Sequence, residues 1–189
     1  GKRVLDLSRL LPGPFATTLL ADLGDDVVKV ENPKRPDPTR AAGERMASLN
    51  RNKRSIALDL RLKSDRETFL RLVETADAVV EGFRPQVLAG MGLGYDVLRK
   101  ANPRIVLCSI TGYGQSGPYA DKPGHELNFL GLSGFFAVPG CTDGVVTRPG
   151  IRAGDLVGSM YAALSISVAL ASVDKHGRGQ HIDISLAEA

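Results

Sequence analysis

The chain has 189 residues, 43% hydrophobic and 24% charged, with 21 Gly, 11 Pro, 2 Cys and no Trp. A chain of that length and composition fills a core of its own, which excludes intrinsic disorder, collagen and a disulfide scaffold. The net charge of +3 selects no partner by itself. Residues 160–173, the longest nearly apolar run, read as too short and too rich in serine to span a bilayer. The first residues do not read as a basic-then-apolar leader, so secretion is not expected. Cys108 and Cys141 lack a Cys-x-x-Cys spacing and read as reduced and buried. A cytoplasmic protein with no membrane partner is the expectation.

Val4-Leu5-Asp6-Leu7 reads as a buried strand, followed by a helix that opens at Pro12-Gly13-Pro14 and stops at Gly24. Residues 26–31 form a second strand, and residues 32–54 an irregular, Pro-rich basic loop. Residues 55–60 alternate as a strand. Ser64-Asp65-Arg66-Glu67 is a capping box opening a helix with Phe69, Leu70, Leu72 and Val73 on its apolar stripe. Strands follow at 78–80 and 104–110, with a short helix from Pro85 between them. Beyond a glycine-rich loop at 111–118, helices are expected at about 126–136 and 155–172, joined by a turn-rich link. A last strand lies at 181–186, and residues 187–189 look like the start of a further helix. The alternation predicts an α/β fold: a mostly parallel, Rossmann-like sheet with helices on both faces. Ligands of such sheets bind at the carboxyl ends of strands, which marks loops 8–14, 31–54 and 111–125.

Between residues 34 and 54, seven basic side chains (Lys34, Arg35, Arg40, Arg45, Arg51, Lys53, Arg54) face two acidic ones, Asp37 and Glu44. That surplus suits either a phosphate-bearing ligand or a solvated loop. The first strand is not followed by G-x-G-x-x-G, and Gly112 to Gly117 does not continue into a P-loop. His125, His176 and His181 have no ligand spacing, so no metal is expected. The basic loop carries no aromatic residue for base stacking, so no nucleic-acid partner is expected either.

Four stretches together resemble the class III CoA-transferase family (CaiB/BaiF type), which also contains the α-methylacyl-CoA racemases. They are Val4-Leu5-Asp6-Leu7 with Gly13-Pro14, Leu20-Ala21-Asp22-Leu23-Gly24 and Val27-Val28-Lys29-Val30-Glu31; Asn50-Arg51-Asn52-Lys53-Arg54 with Ser55-Ile56-Ala57-Leu58-Asp59-Leu60; Phe83-Arg84-Pro85; and Gly177-Arg178-Gly179-Gln180. The resemblance spans the chain and implies that residues 1–189 are the large CoA-binding α/β domain of a longer protein, without the small C-terminal domain. It also implies an interlocked homodimer. On its own the chain would then be a poor monomer, with apolar surface exposed on helix 155–172. No permanently bound cofactor is implied; coenzyme A enters as part of an acyl-CoA substrate. By position, Lys53, Arg54, Leu58, Arg61, Phe83 and Arg84 match residues lining the CoA site. The Arg84 guanidinium suits stacking on adenine or forking onto phosphate. Where the family has Glu-Arg-Pro, this chain has Glu31-Asn32-Pro33, so Lys34 or Arg35 would replace a phosphate contact.

The resemblance also implies the catalytic pair His125 and Asp155. Gly124-His125-Glu126-Leu127-Asn128-Phe129 is similar to the racemase form of that segment, and Asp155 falls where transferases carry the acyl group. The plainer readings are a helix N-cap for Asp155 and a helix-capping turn residue for His125. Epimerising a 2-methylacyl-CoA requires an acid/base on each face of the carbon and stabilisation of the enolate oxygen. The helix starts near 126 and 155 are expected to turn backbone N–H groups toward that oxygen. Transfer of CoA to a free carboxylate requires instead a carboxylate nucleophile. Asp155 serves both schemes and His125 only the first, so epimerisation is the leading expectation, with CoA transfer second. A CoA-binding module without catalysis is the third.

Overall fold

The computed structural model describes residues 1–137 and 148–189; Cys141, part of the expected link and the Arg45 side chain lie outside the description. Six parallel strands form one sheet: β1 (Arg3–Asp6), β2 (Asp26–Glu31), β3 (Lys53–Ala57), β4 (Ala78–Glu81), β5 (Val106–Thr111) and β6 (His181–Ser185). Their spatial order is β3-β2-β1-β4-β5-β6. The chain direction across the sheet therefore reverses between β1 and β4, and the crevice above their carboxyl ends is where such folds take ligands.

Seven helices cover the sheet among the described residues: α1 (Pro12–Asp22), α2 (Glu44–Asn50), α3 (Lys63–Val73), α4 (Val87–Gly90), α5 (Tyr95–Ala101), α6 (Glu126–Leu132) and α7 (Ala153–His176). Successive strand residues point to opposite faces, and both faces are apolar. Val4, Val27, Val80, Val106 and Ile184 pack with Ala16 and Leu20 of α1 and Ile166, Ala169 and Val173 of α7. Leu5, Val28, Val79 and Leu107 pack with Phe69 and Val73 of α3 and Leu98 of α5. Burying one such large side chain contributes roughly 1.5–3 kcal/mol.

Several expectations change. The segment 32–54 is not one irregular loop, because a 3-10 turn (Pro38–Ala42) and α2 form within it and β3 begins at Lys53. No capping box opens α3: the helix starts at Lys63, and the Asp65 carboxylate instead accepts the Asp59 N–H at 2.7 Å. The helix after Pro85 begins only at Val87, behind Gln86 at φ 66°, and α5 follows as an additional helix. The stretch 126–136 is α6 and then a separate 3-10 turn (Phe135–Ala137). Residues 186–188 form a turn rather than a helix. Finally, α7 is long and apolar enough to cross a membrane, unlike the 14-residue run read from the sequence. One side of it lies in the core; the other exposes Val157, Met160, Tyr161, Leu164 and Val168.

Candidate functional site

Two cavities open on the crevice. The smaller, about 250 Å3, lies over the carboxyl ends of β1 to β4 and is lined by Leu7, Arg9, Arg35, Leu58, Arg61 and Phe83 among others. The larger, about 790 Å3, is lined by the 8–13 loop, Phe83-Arg84-Pro85, the 110–113 segment, and His125, Glu126, Arg148, Arg152 and Asp155. Arg9 and Phe83 line both, so the two adjoin at the switch between β1 and β4.

The loop after β1 forms that junction, and buried charge holds it in place. Lys29 Nζ sits 3.4 Å from Asp37 and donates to the Ser8 carbonyl at 2.9 Å. Asp37 accepts the Leu10 N–H at 3.2 Å, and Leu10 stands at φ 69°, an unfavourable backbone region for a branched side chain. Asp6 completes the network: it accepts from Lys53 Nζ at 3.1 Å, from Thr17 at 2.6 Å and from the Ser8 hydroxyl. Burial works against the Asp6 charge, but Lys53, Lys29 and the two hydroxyls outweigh it and hold the pKa at about 2. Gly13 is needed here, because a Cβ would lie 2.2 Å from Ser8 Oγ.

The sequence-derived CoA residues divide. Leu58, Arg61, Phe83 and Arg35 line the smaller cavity and Arg84 the larger. Lys53 and Arg54 line neither. Lys53 Nζ is taken up by Asp6, Thr17, Asn50 and the carbonyls of Pro14 and Leu49. Arg54 forks onto Asp26 at 2.7 Å, at the opposite end of the sheet. Arg40 likewise pairs with Glu31, and Arg51 with Asp22. Much of the basic surplus at 34–54 therefore meets acids elsewhere in the chain.

At the rim of the smaller cavity, Arg61 makes a two-point contact with Asp59 at 2.7 and 2.9 Å. That hydrogen bonding, which outweighs the cost of burial, holds the Asp59 carboxyl at about 2. Asn32 donates to Asp59 at 2.9 Å and accepts the N–H groups of Lys34 and Arg35, so it shapes the turn that carries Arg35. The Phe83 N–H donates to the buried Glu81 carboxylate at 2.7 Å. Burial pushes the Glu81 pKa up, against the hydrogen bonds from Ser109 and Phe83.

His125 and Asp155 line the same, larger cavity. His125 is exposed at the N-cap of α6, its N–H donating to Asn128 Oδ1 at 3.0 Å. Asp155 is buried, the third residue of α7; Arg152 holds the N-cap position, so Asp155 is not the cap. Arg152 Nη1 lies 3.9 Å from Asp155 Oδ2. The sequence reading missed Glu126. Its buried carboxylate accepts the N–H groups of Gly154 at 2.9 Å and Asp155 at 2.8 Å. Those first-turn amides of α7 are thus engaged by Glu126 and do not face an oxyanion. Among the described residues, no three His, Cys, Asp or Glu side chains group as a metal site requires.

Comparison with known proteins bears on the family and the fold. The sequence matches CoA-transferase family III over residues 1–189. It is 42% identical to succinate–glutarate CoA-transferase of Agrobacterium fabrum, over all of this chain and 50% of that protein. It is 39% identical to acetyl-CoA:oxalate CoA-transferase of Acetobacter aceti, over 98% of this chain and 50% of that one. A crystal structure of a CAIB/BAIF family protein from Brucella suis superposes with a TM-score of 0.93 at 37% identity, over all of this chain and 53% of the other. The chain spans about half the length of the curated relatives it matches. These relatives are named as CoA-transferases, and the racemase branch suggested by Gly124-His125-Glu126 is not what they show. The chain belongs to CoA-transferase family III.

Proposed function

We propose that the full-length protein transfers CoA from an acyl-CoA to a free carboxylic acid, with Asp155 as the acyl carrier. The observation that carries this reading is the buried Asp155 carboxylate opening onto a cavity that adjoins the Arg35 and Arg61 cavity through Arg9 and Phe83. The charged diphosphate and 3′-phosphate of CoA suit the arginine-bearing cavity, and the uncharged pantetheine arm passes Phe83 toward Asp155. A carboxylate oxygen of Asp155 attacks the thioester carbonyl; the C–S bond breaks and the CoA thiolate leaves, giving a mixed anhydride. The thiolate then attacks the Asp155 carbonyl, releasing the donor acid and forming an aspartyl-CoA thioester. The acceptor carboxylate displaces the thiolate again, and the thiolate recaptures the acceptor acyl group from the second anhydride, restoring Asp155. Every step is acyl exchange, with no net redox change. The relatives' names pair CoA with succinate, glutarate and oxalate, so an acid with two carboxyl groups is the acceptor class we adopt.

Epimerisation through His125 and Asp155 gives way to this reading because the relatives named above are transferases. The test is to mix full-length protein with succinyl-CoA and glutarate and follow CoA esters by mass spectrometry. Glutaryl-CoA should accumulate as succinate is released. Hydrolysis without a new CoA ester, or no reaction with any dicarboxylic acid, would contradict the proposal.

A further inference from the structure

Among the described residues, the side chains lining the larger cavity carry more positive charge than CoA itself requires. Arg84, Lys122, Arg148 and Arg152 line the larger cavity, with Arg9 at its junction with the smaller one, against two acids among the described residues, Glu126 and Asp155. The Glu126 carboxylate is occupied by two backbone N–H groups, and Asp155 is the nucleophile of the proposed reaction. CoA carries its charge at the nucleotide end, and the arm leading to sulfur is neutral. Cations at the thiol end therefore have no phosphate to meet. The nearest of them is Arg152, with Nη1 3.9 Å from Asp155 Oδ2 on the first turn of α7. Its side chain is 44% exposed while that of Asp155 is 9% exposed, so the guanidinium projects from the buried carboxylate toward the open cavity.

We infer that Arg152, seconded by Arg148, forms a subsite for the remote carboxylate of a dicarboxylic acid whose other carboxyl group is exchanged at Asp155. This rests on the transfer reading above. A guanidinium presents paired donors that match a carboxylate in plane, which a lysine ammonium does not. With the remote carboxylate held there, the reacting carboxyl end lies one short carbon chain away, against Asp155. Dicarboxylic acids would then be favoured over monocarboxylic acids of equal length, and over their own monoamides.

The test uses the full-length protein with glutarate and with glutaramate, its monoamide, as acceptors. The unmutated protein should prefer glutarate in kcat/KM by about 10- to 100-fold, the range for one charge-assisted hydrogen-bonded pair in water. Arg152→Gln should collapse that ratio toward one, and Arg152→Lys should leave it in between. A loss equal for both acceptors would mean that Arg152 acts only on Asp155, and the subsite would be refuted. The comparison on unmutated protein stands even if a variant fails to fold, since equal use of the two acceptors refutes the subsite directly. Hydroxylamine capture of acyl-Asp155 separates the two levels. Capture with an unchanged ratio removes the subsite and keeps transfer; absence of capture with every thioester removes both.

Discussion

Glu126 accepts the backbone N–H of Asp155 at 2.8 Å across 29 positions in sequence, and so ties the start of α7 to the start of α6. It takes the Gly154 N–H in the same way at 2.9 Å. The N-terminal amides of a helix lack intrahelical partners, and a buried carboxylate is a strong acceptor for them. Glu126 is therefore a positioning residue for Asp155. The close packing leaves little room: a Cβ at Gly154 would lie 3.2 Å from Glu126 Oε2.

Glu126→Ala leaves two buried donors without an acceptor and should cost about 2–4 kcal/mol of stability. It should lower kcat far more than it raises the KM for acyl-CoA, because Glu126 lies outside the cavity proposed for the CoA phosphates. Glu126→Gln keeps one acceptor oxygen and should restore part of kcat. A loss of folded protein would also lower apparent kcat with KM unchanged, so rates are normalised to the folded fraction, and a kcat loss that vanishes on that normalisation would contradict the positioning role. Steady-state kinetics with denaturant unfolding makes the distinction.

Lys53 should prove a stability residue. Lys53→Met strands the buried Asp6 charge, at a cost of roughly 3–5 kcal/mol, read by urea denaturation. Burial pushes the Lys53 pKa down, while Lys53, Lys29 and two hydroxyls hold Asp6 at about 2. In acid only Asp6 titrates, so its direction governs there. A carboxyl whose folded pKa is depressed contributes stability that is complete above its unfolded pKa of about 4 and fades as pH falls toward about 2, an effect of the order of 2 kcal/mol. Asp6→Asn should flatten that acid limb.

Arg54→Ala should leave CoA affinity unchanged by calorimetry, since Arg54 forks onto Asp26 away from both cavities. Arg35→Ala should weaken it by about 1.5–3 kcal/mol and reduce its salt dependence. Equal effects of the two would contradict the division of the basic residues.

Cys108 is fully buried on β5, and burial pushes its thiol pKa far up. It should resist alkylation in the native protein and react only on unfolding, followed on its own peptide by mass spectrometry.

The four central strands were legible because they carry nearly continuous buried apolar runs, whereas the edge strands β3 and β6 show only alternation. Val27, Val28 and Val30, or Val106 and Leu107, are buried whichever face they point to. The basic loop was misread because charge was counted within a window. Asp6, Asp22, Asp26 and Glu31, which pair with Lys53, Arg51, Arg54 and Arg40, all precede residue 34. The Asp65 contact to Asp59 and the Glu126 contact to α7 are pairings through space, with no periodicity to reveal them. The helix α5 is seven residues long with only Leu98 buried, too little for an apolar stripe. His125 and Asp155 were marked by resemblance, and the structure brings both to one cavity. The choice between the two chemistries rested on His125, because a histidine paired with a carboxylate suits proton transfer; the names of the relatives fit CoA transfer better.

The most direct measurement is made on full-length protein incubated in deuterated water with succinyl-CoA and, in parallel, with a chiral 2-methylacyl-CoA, then quenched with hydroxylamine and digested. Acyl transfer predicts a hydroxamate on the peptide containing Asp155 with succinyl-CoA, no deuterium at C2 of either recovered thioester, and loss of the hydroxamate in Asp155→Ala. His125→Ala should lose far less of it. Deuterium at C2 that depends on His125, with no modification of Asp155, would contradict acyl transfer and restore the two-base reaction.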